Sequence, residues 1–160
     1  MPAPKTKKTS PSPQAQLDTF IDKYTPQIAA LARACLAKMR ARLPGATQLV
    51  YDNYNALAVG FGPSERTSHA IFSVAMYPRW VNLFFLQTAP KLPDPHRLLK
   101  GSGNVVRSIT IHSASELDEP AVQALIAEAL KHAVEPIDPA APGRLIIRSI
   151  SAKQRPRRPK

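Results

Sequence analysis

Short apolar runs alternate with small or polar residues in the middle of the chain, at 71–87 (IFSVAMYPRWVNLFFLQ). Their length and their β-branched and aromatic content favour strands over helix. Pro78 between them suits the first corner of a turn, so the pattern predicts a β-hairpin. Its two faces are largely apolar, which is typical of central strands in a sheet. One face would carry Phe72, Val74, Met76, Val81, Leu83 and Phe85, and the other Ile71, Ser73, Ala75, Tyr77, Trp80, Asn82, Phe84 and Leu86.

Apolar residues at spacings of three and four predict helices on both sides of this hairpin. The first begins at Gln16 and the second at Pro26, where Thr25 is placed to cap it and Pro44 lies near its end. A third amphipathic stretch covers residues 115–133, with a proline in its first turn.

Further strands are predicted at 47–53, 56–62 and 105–111, and an additional edge strand at 144–151. The order of elements predicts an α+β fold with a mainly antiparallel five- to six-stranded sheet and N-terminal and C-terminal helices packed on one face. We expect a disordered basic tail at 1–14, one domain at 15–135, a linker with the possible edge strand at 136–151, and a disordered basic tail at 152–160.

The net charge of +11 is concentrated at the two ends of the chain. Residues 1–13 contain three Lys and residues 144–160 contain seven Lys or Arg, with no acid in either segment. The remaining 12 basic and 11 acidic residues lie in 14–143, so the body is almost neutral. The basic tails therefore predict, as one alternative, weak non-specific nucleic-acid binding.

No apolar run approaches the about 20 residues that a membrane span needs, and no apolar segment follows the basic N-terminus as in a secretory signal. We therefore expect no membrane association. The single cysteine, Cys35, excludes an internal disulfide, and a cytoplasmic location is the simplest interpretation.

Turn and packing motifs recur along residues 17–133, about three quarters of the chain. They are the helix running into Leu43-Pro44, the stretch Tyr51 to Tyr54, the apolar hairpin, Asp94-Pro95, Leu98-Leu99, Gly101, Gly103, Arg107 and the closing helix at 115–133. On these motifs the region resembles the YdhG-like domain of unknown function, a small bacterial α+β family. The resemblance implies the fold. One branch of the family has been likened to frataxins, so the resemblance also implies a metal (iron) carrier as an alternative. Frataxins carry iron on acidic helix faces, whereas no acid lies here between Lys23 and Asp52.

Catalytic and metal-binding constellations are not predicted. The four histidines are scattered without metal-ligand spacing, and Cys35 lies on the apolar stripe of its helix. Ser64 and His69 share a loop but not the strand–turn–helix arrangement that activates a serine. We expect no cofactor and leave open whether any reaction is catalysed.

Arg107 is the leading candidate binding residue, because its strand places it on an apolar face, where a charge needs a partner or a wet cleft. One interpretation is an ion pair with Asp52 or Asp94. The other is an anchor for an anionic ligand, in a pocket formed with Tyr54, Tyr77, Trp80 or Lys100.

Two function classes follow. The first is a non-enzymatic module that binds a small ligand or a protein partner in a groove beside the sheet. The second is phosphate binding by the tail residues Arg155, Arg157, Arg158 and Lys160, without base stacking because aromatic residues are absent from the tail. Removing residues 144–160 is expected to separate the two.

Overall fold

A computed structural model describes residues 11–87 and 89–159 of the chain. Within those ranges it contains α1 (Pro13–Ile21), α2 (Pro26–Arg42) and α3 (Pro120–Lys131), and the strands β1 (Thr47–Asp52), β2 (Leu57–Gly62), β3 (Phe72–Met76), β4 (Val81–Phe85), β5 (Arg107–Ile111) and β6 (Leu145–Ile150). The α+β class is confirmed.

The six strands form one mixed sheet in the order β5-β4-β3-β2-β1-β6. Four neighbouring pairs are antiparallel, so the predicted mainly antiparallel sheet is confirmed. The hairpin predicted at 71–87 is β3 and β4, and neither strand lies at an edge. The sixth strand is also present, but it runs parallel to β1.

Local capping explains where the helices begin. Thr25 Oγ1 accepts a hydrogen bond from the backbone N–H of Ile28 at 3.3 Å, and Pro26 occupies the first turn of α2. Ser12 caps α1 in the same way, so that helix begins at Pro13, three residues before the predicted start.

The third helix is shorter than predicted. Residues 115–133 divide into a 3-10 segment, Ala114–Asp118, and α3, which begins at Pro120. The break falls at Glu119, which is extended at φ −62° and ψ 136°. The residue before a proline is biased away from helical backbone, which explains the break.

The hydrophobic core contains residues of the helices and of the sheet. Buried side chains of α1, α2 and α3 form a single hydrophobic cluster with alternate strand residues, which include Phe72, Val74, Met76, Val81, Leu83 and Phe85. Among them Tyr24 donates its hydroxyl proton to the Met76 carbonyl at 2.8 Å and accepts from the Leu57 N–H at 3.1 Å. Burial raises the pKa of Tyr24 to about 12.

Candidate functional site

Two adjoining cavities lie on the other face of the central strands, and we call them together the aromatic groove. The first, of about 480 Å³, lies over β2 and β3, and the second, of about 630 Å³, lies at the turn between β3 and β4. Asn55 and Tyr77 line both cavities. Each volume is in the range of sites that hold a small organic ligand.

Small side chains give the first cavity its depth. Ala58 and Ala75 face each other across β2 and β3, and Ser73 lies two residues before Ala75 on the same face. Larger side chains, Phe84 and Tyr54, stand around this floor. The cavity exists because the strand alternation puts small residues beside aromatic ones on this face.

An aromatic pair lies at the turn of the hairpin and lines the second cavity. The Tyr77 and Trp80 rings stack with centroids 5.2 Å apart and planes 24° apart. The turn holds the pair, since the Tyr77 N–H donates to the Trp80 carbonyl at 2.9 Å. Trp80 remains 44% exposed, so much of its ring surface is open to a ligand. Burial raises the pKa of Tyr77.

Residues 151–159, the terminal segment, form one wall of the groove. The Arg155 N–H donates to the Tyr54 carbonyl at 2.9 Å, and its guanidinium lies 5.5 Å from the centroid of the Tyr54 ring. Arg155 and Pro156 line the second cavity, and Ser151 lines the first. The structure places residues 152–159 against the folded chain, whereas the sequence predicts a disordered tail at 152–160.

A buried ion pair fixes the terminal segment. Arg157 is 5% exposed, and its guanidinium donates to Asp52 Oδ1 at 2.9 Å and to the Asn53 carbonyl. Asp52 is itself 1% exposed, and Lys23 Nζ approaches its Oδ2 to 3.7 Å. Neither charge is stable alone in the interior, so the pair requires that the end of the chain stay in place.

The charged side chains that line the groove are all positive. Arg79 and Arg155 line the second cavity, and no carboxylate from 11–87 or 89–159 lines either cavity. Arginine beside aromatic rings combines ionic attraction with a planar stacking surface. The groove is thus suited to a flat ligand that carries negative charge.

The predicted site residues fall into two separate places. Tyr54, Tyr77 and Trp80 come together in the groove. Lys100 and Arg107 lie instead at the β5 edge, where Lys100 forms a backbone bridge with Ser108.

Arg107 does not form the ion pair with Asp52 or Asp94 that was one interpretation, and an anchor for an anionic ligand at Arg107 remains a prediction. Its guanidinium donates to the carbonyls of Gly103 and Val106, and not to a carboxylate. Asp94 accepts from the backbone N–H groups of Leu98 and Leu99 at 2.9 Å, which fixes its own loop. The charge that Arg107 brings to the edge is satisfied by main-chain oxygens.

The predicted tail residues also divide. Arg155 faces the groove, Arg157 is buried, and Arg158 donates from Nε to the Lys23 carbonyl at 3.1 Å. Lys160 lies outside the described residues. Aromatic partners were not expected for the tail, but folding supplies Tyr54 to Arg155 from a distant part of the chain.

Other chemistry receives no structural support. Within the described ranges, no three His, Cys, Asp or Glu side chains form a group that would hold a metal ion. Burial raises the pKa of the Cys35 thiol to about 11, which disfavours the reactive thiolate. Ser64 Oγ lies 3.1 Å from His69 Nδ1, but it also accepts from the Arg66 N–H and so belongs to the loop's own hydrogen bonding.

No helix in the part of the chain that the structure describes is long and apolar enough to cross a membrane.

Comparisons of the chain with protein-family models, curated proteins and solved structures give no significant match. The chemistry of the groove is accordingly the basis for a functional conclusion.

Proposed function

We propose that this protein is a binding module whose aromatic groove takes a small ligand with a flat ring and an anionic group. The observation that carries the proposal is that the exposed Trp80, stacked on the half-buried Tyr77, lies with Arg79 and Arg155 in one cavity of about 630 Å³. A flat ring stacks on Trp80, and the arginines hold the negative group.

The adjoining first cavity accommodates the remainder of such a ligand. Its polar side chains, which include Asn53, Asn55 and Ser73, offer hydrogen bonds without a formal charge. This division, with charge at one end and neutral polar groups at the other, supports a defined orientation of the ligand. The combination is typical of non-catalytic recognition, since no activated nucleophile lines either cavity within the described chain.

Trp80 makes the proposal directly measurable, because it is the only tryptophan in the chain. Adenosine 5′-monophosphate is a suitable probe, with adenosine and inorganic phosphate as its two halves. We expect the nucleotide to change the Trp80 emission saturably, adenosine to bind more weakly, and phosphate alone to leave the emission unaltered.

Replacing Arg155 tests the charged wall. Arg155→Ala should weaken nucleotide binding about tenfold, which corresponds to the loss of one charge-assisted contact of about 1.4 kcal/mol. Lys153→Ala is the matched control, because it removes the same charge from an exposed position in the same segment. Equal affinities of the two variants, or an emission that never saturates with wild type, would overturn the proposal.

A further inference from the structure

A third cavity continues the groove past Trp80. It has a volume of about 580 Å³, and Arg79 and Trp80 line it together with the second cavity. Its other walls come from α2, through Ile28 and Leu31, and from the end of β5, through Thr110 and His112. The three cavities therefore form a continuous row. The first and second share Asn55 and Tyr77, and the second and third share Arg79 and Trp80.

The charged side chains along this row of cavities are arginines. Arg155 lines the second cavity and Arg79 lines the second and third, and no carboxylate from 11–87 or 89–159 lines any of the three cavities. The large cavity around His69 differs, since Glu65, Glu135 and Asp138 line it. Repeated cations with no acid between them match a ligand whose negative charges repeat along its length.

The aromatic residues have the matching distribution. Tyr54 is 48% exposed and Trp80 is 44% exposed, and each lies beside an arginine. Trp80 lines cavities on both of its sides, so a chain that passes it would place successive units in the second and third cavities. Single-stranded nucleic acids are recognised by this combination of a positive track and stacking rings.

We infer that the three cavities form a track for a short single-stranded nucleic acid, with bases stacked on Trp80 and Tyr54 and phosphates beside Arg79 and Arg155. The inference rests on the proposed function, because the aromatic groove would hold one nucleotide of the strand. It differs from the sequence-based alternative of phosphate binding by a loose tail, since here the folded surface supplies the stacking rings.

The experiment compares thymidine 5′-monophosphate and a 5′-phosphorylated thymidine trinucleotide by Trp80 emission, with a hairpin duplex that stays base-paired as competitor. We expect the trinucleotide to bind at least tenfold more tightly than the monophosphate and the duplex to compete poorly. Contacts with two or three phosphates give a slope of about −1.4 to −2.1 for log affinity against log salt, at about −0.7 per phosphate.

Variants separate the third cavity from the first two. His112→Ala and Leu31→Ala should each weaken trinucleotide binding several-fold and leave monophosphate binding unchanged, because these residues line only the third cavity among the three. Arg148→Ala, an exposed arginine on β6 outside the track, should change neither affinity.

Each outcome is decisive. If the monophosphate binds and the trinucleotide is no tighter, or the duplex competes equally well, the inference fails and the proposed function stands. If no nucleotide of any length binds, both fail. A tighter trinucleotide whose advantage disappears in His112→Ala supports both.

Discussion

Asp52 and Arg157 form the most deeply buried ion pair in the described chain. They are 1% and 5% exposed, and the guanidinium Nη2 atom lies 2.9 Å from the carboxylate. A buried ion pair contributes little to the free energy of folding compared with well-packed apolar residues. Removing one partner, however, leaves a buried charge unpaired and destabilises the fold. The pair therefore makes the terminal segment and the end of β1 dependent on each other.

Arg157→Ala should lower the free energy of unfolding by about 3 kcal/mol, the lower end of the usual range because Lys23 remains 3.7 Å from Asp52. Urea unfolding measures this change. Arg158→Ala, next in the chain but exposed, should cost less than about 1 kcal/mol. The interpretation is wrong if the two variants unfold at the same urea concentration.

Tyr24 gives a pH dependence with a definite sign. Its pKa is raised from 10.0 to about 12, chiefly by burial, so the fold favours the neutral phenol. That stabilisation is complete below pH 10 and is lost as the pH rises from 10 towards 12.

The test compares alkaline stability in two variants. Tyr24→Phe should lose about 1–2 kcal/mol at neutral pH, because the Leu57 N–H and the Met76 carbonyl lose their partner, and should show a shallower alkaline decline. Tyr54→Phe removes an exposed hydroxyl and should follow the wild-type profile. A Tyr24→Phe profile parallel to wild type would refute this account.

Individual site residues were predictable where a strand period decides which way a side chain points. Alternation alone places Tyr77 and Trp80 on the same face of the hairpin, and both line the groove. The partner of Arg107 was not predictable, because it is a carbonyl of Gly103 in an irregular loop. Arg79 was overlooked, although its position inside the turn between two aromatic residues was a usable signal.

Elements were predictable when their signals are local. The β3–β4 hairpin follows from period, turn residues and strand length, all within 17 residues of sequence. The direction of β6 does not, since its pairing partner β1 lies far away in the sequence and no local pattern distinguishes a parallel from an antiparallel edge strand.

The connection from α2 to β1 depends on one glycine. Gly45 has a φ of +82°, and a Cβ there would overlap the carbonyl oxygen of Asp138 in the segment before β6. Positive φ alone costs a residue with a side chain about 1–2 kcal/mol.

Gly45→Ala should therefore lower the free energy of unfolding by more than about 2 kcal/mol, because the Asp138 backbone has to move as well. The matched control is Gly103→Ala, whose Cβ would meet its nearest atom at an ordinary 3.5 Å. Thermal unfolding compares them, and equal midpoints would contradict the close approach at Gly45.

At the scale of the whole molecule, charge could be counted from the sequence but not located. The concentration of arginines after residue 144 suggested a loose tail, whereas Arg155 and Arg157 contact residues from the end of β1 and the turn that follows. The composition of the segment cannot reveal these contacts, because the stabilising partner, Asp52, is about a hundred residues away in the chain.

On the sequence alone, removing residues 144–160 is expected to separate groove binding from tail binding. The structure shows that this deletion cannot separate them, because it removes β6 and Arg155 together. A chain ending at Ile150 should lose at least as much stability as Arg157→Ala and should no longer bind the nucleotide probe. A chain ending at Arg157 should keep most of the stability and most of the affinity for the nucleotide probe. Urea unfolding and Trp80 emission measure the two effects, and a fully stable chain ending at Ile150 would count against the anchoring role.

The parallel pairing of β1 with β6 also has a consequence during biosynthesis. The ribosome adds Leu145 roughly a hundred residues after Thr47, a delay of about 5 to 20 s at ordinary elongation rates. Throughout that interval the outer side of β1 has no neighbour, and its main-chain amides are free to recruit a strand from another nascent polypeptide. Chains arrested before residue 145 should accordingly sediment as aggregates more often than chains arrested after the last residue, and synthesis speed itself becomes a determinant of yield.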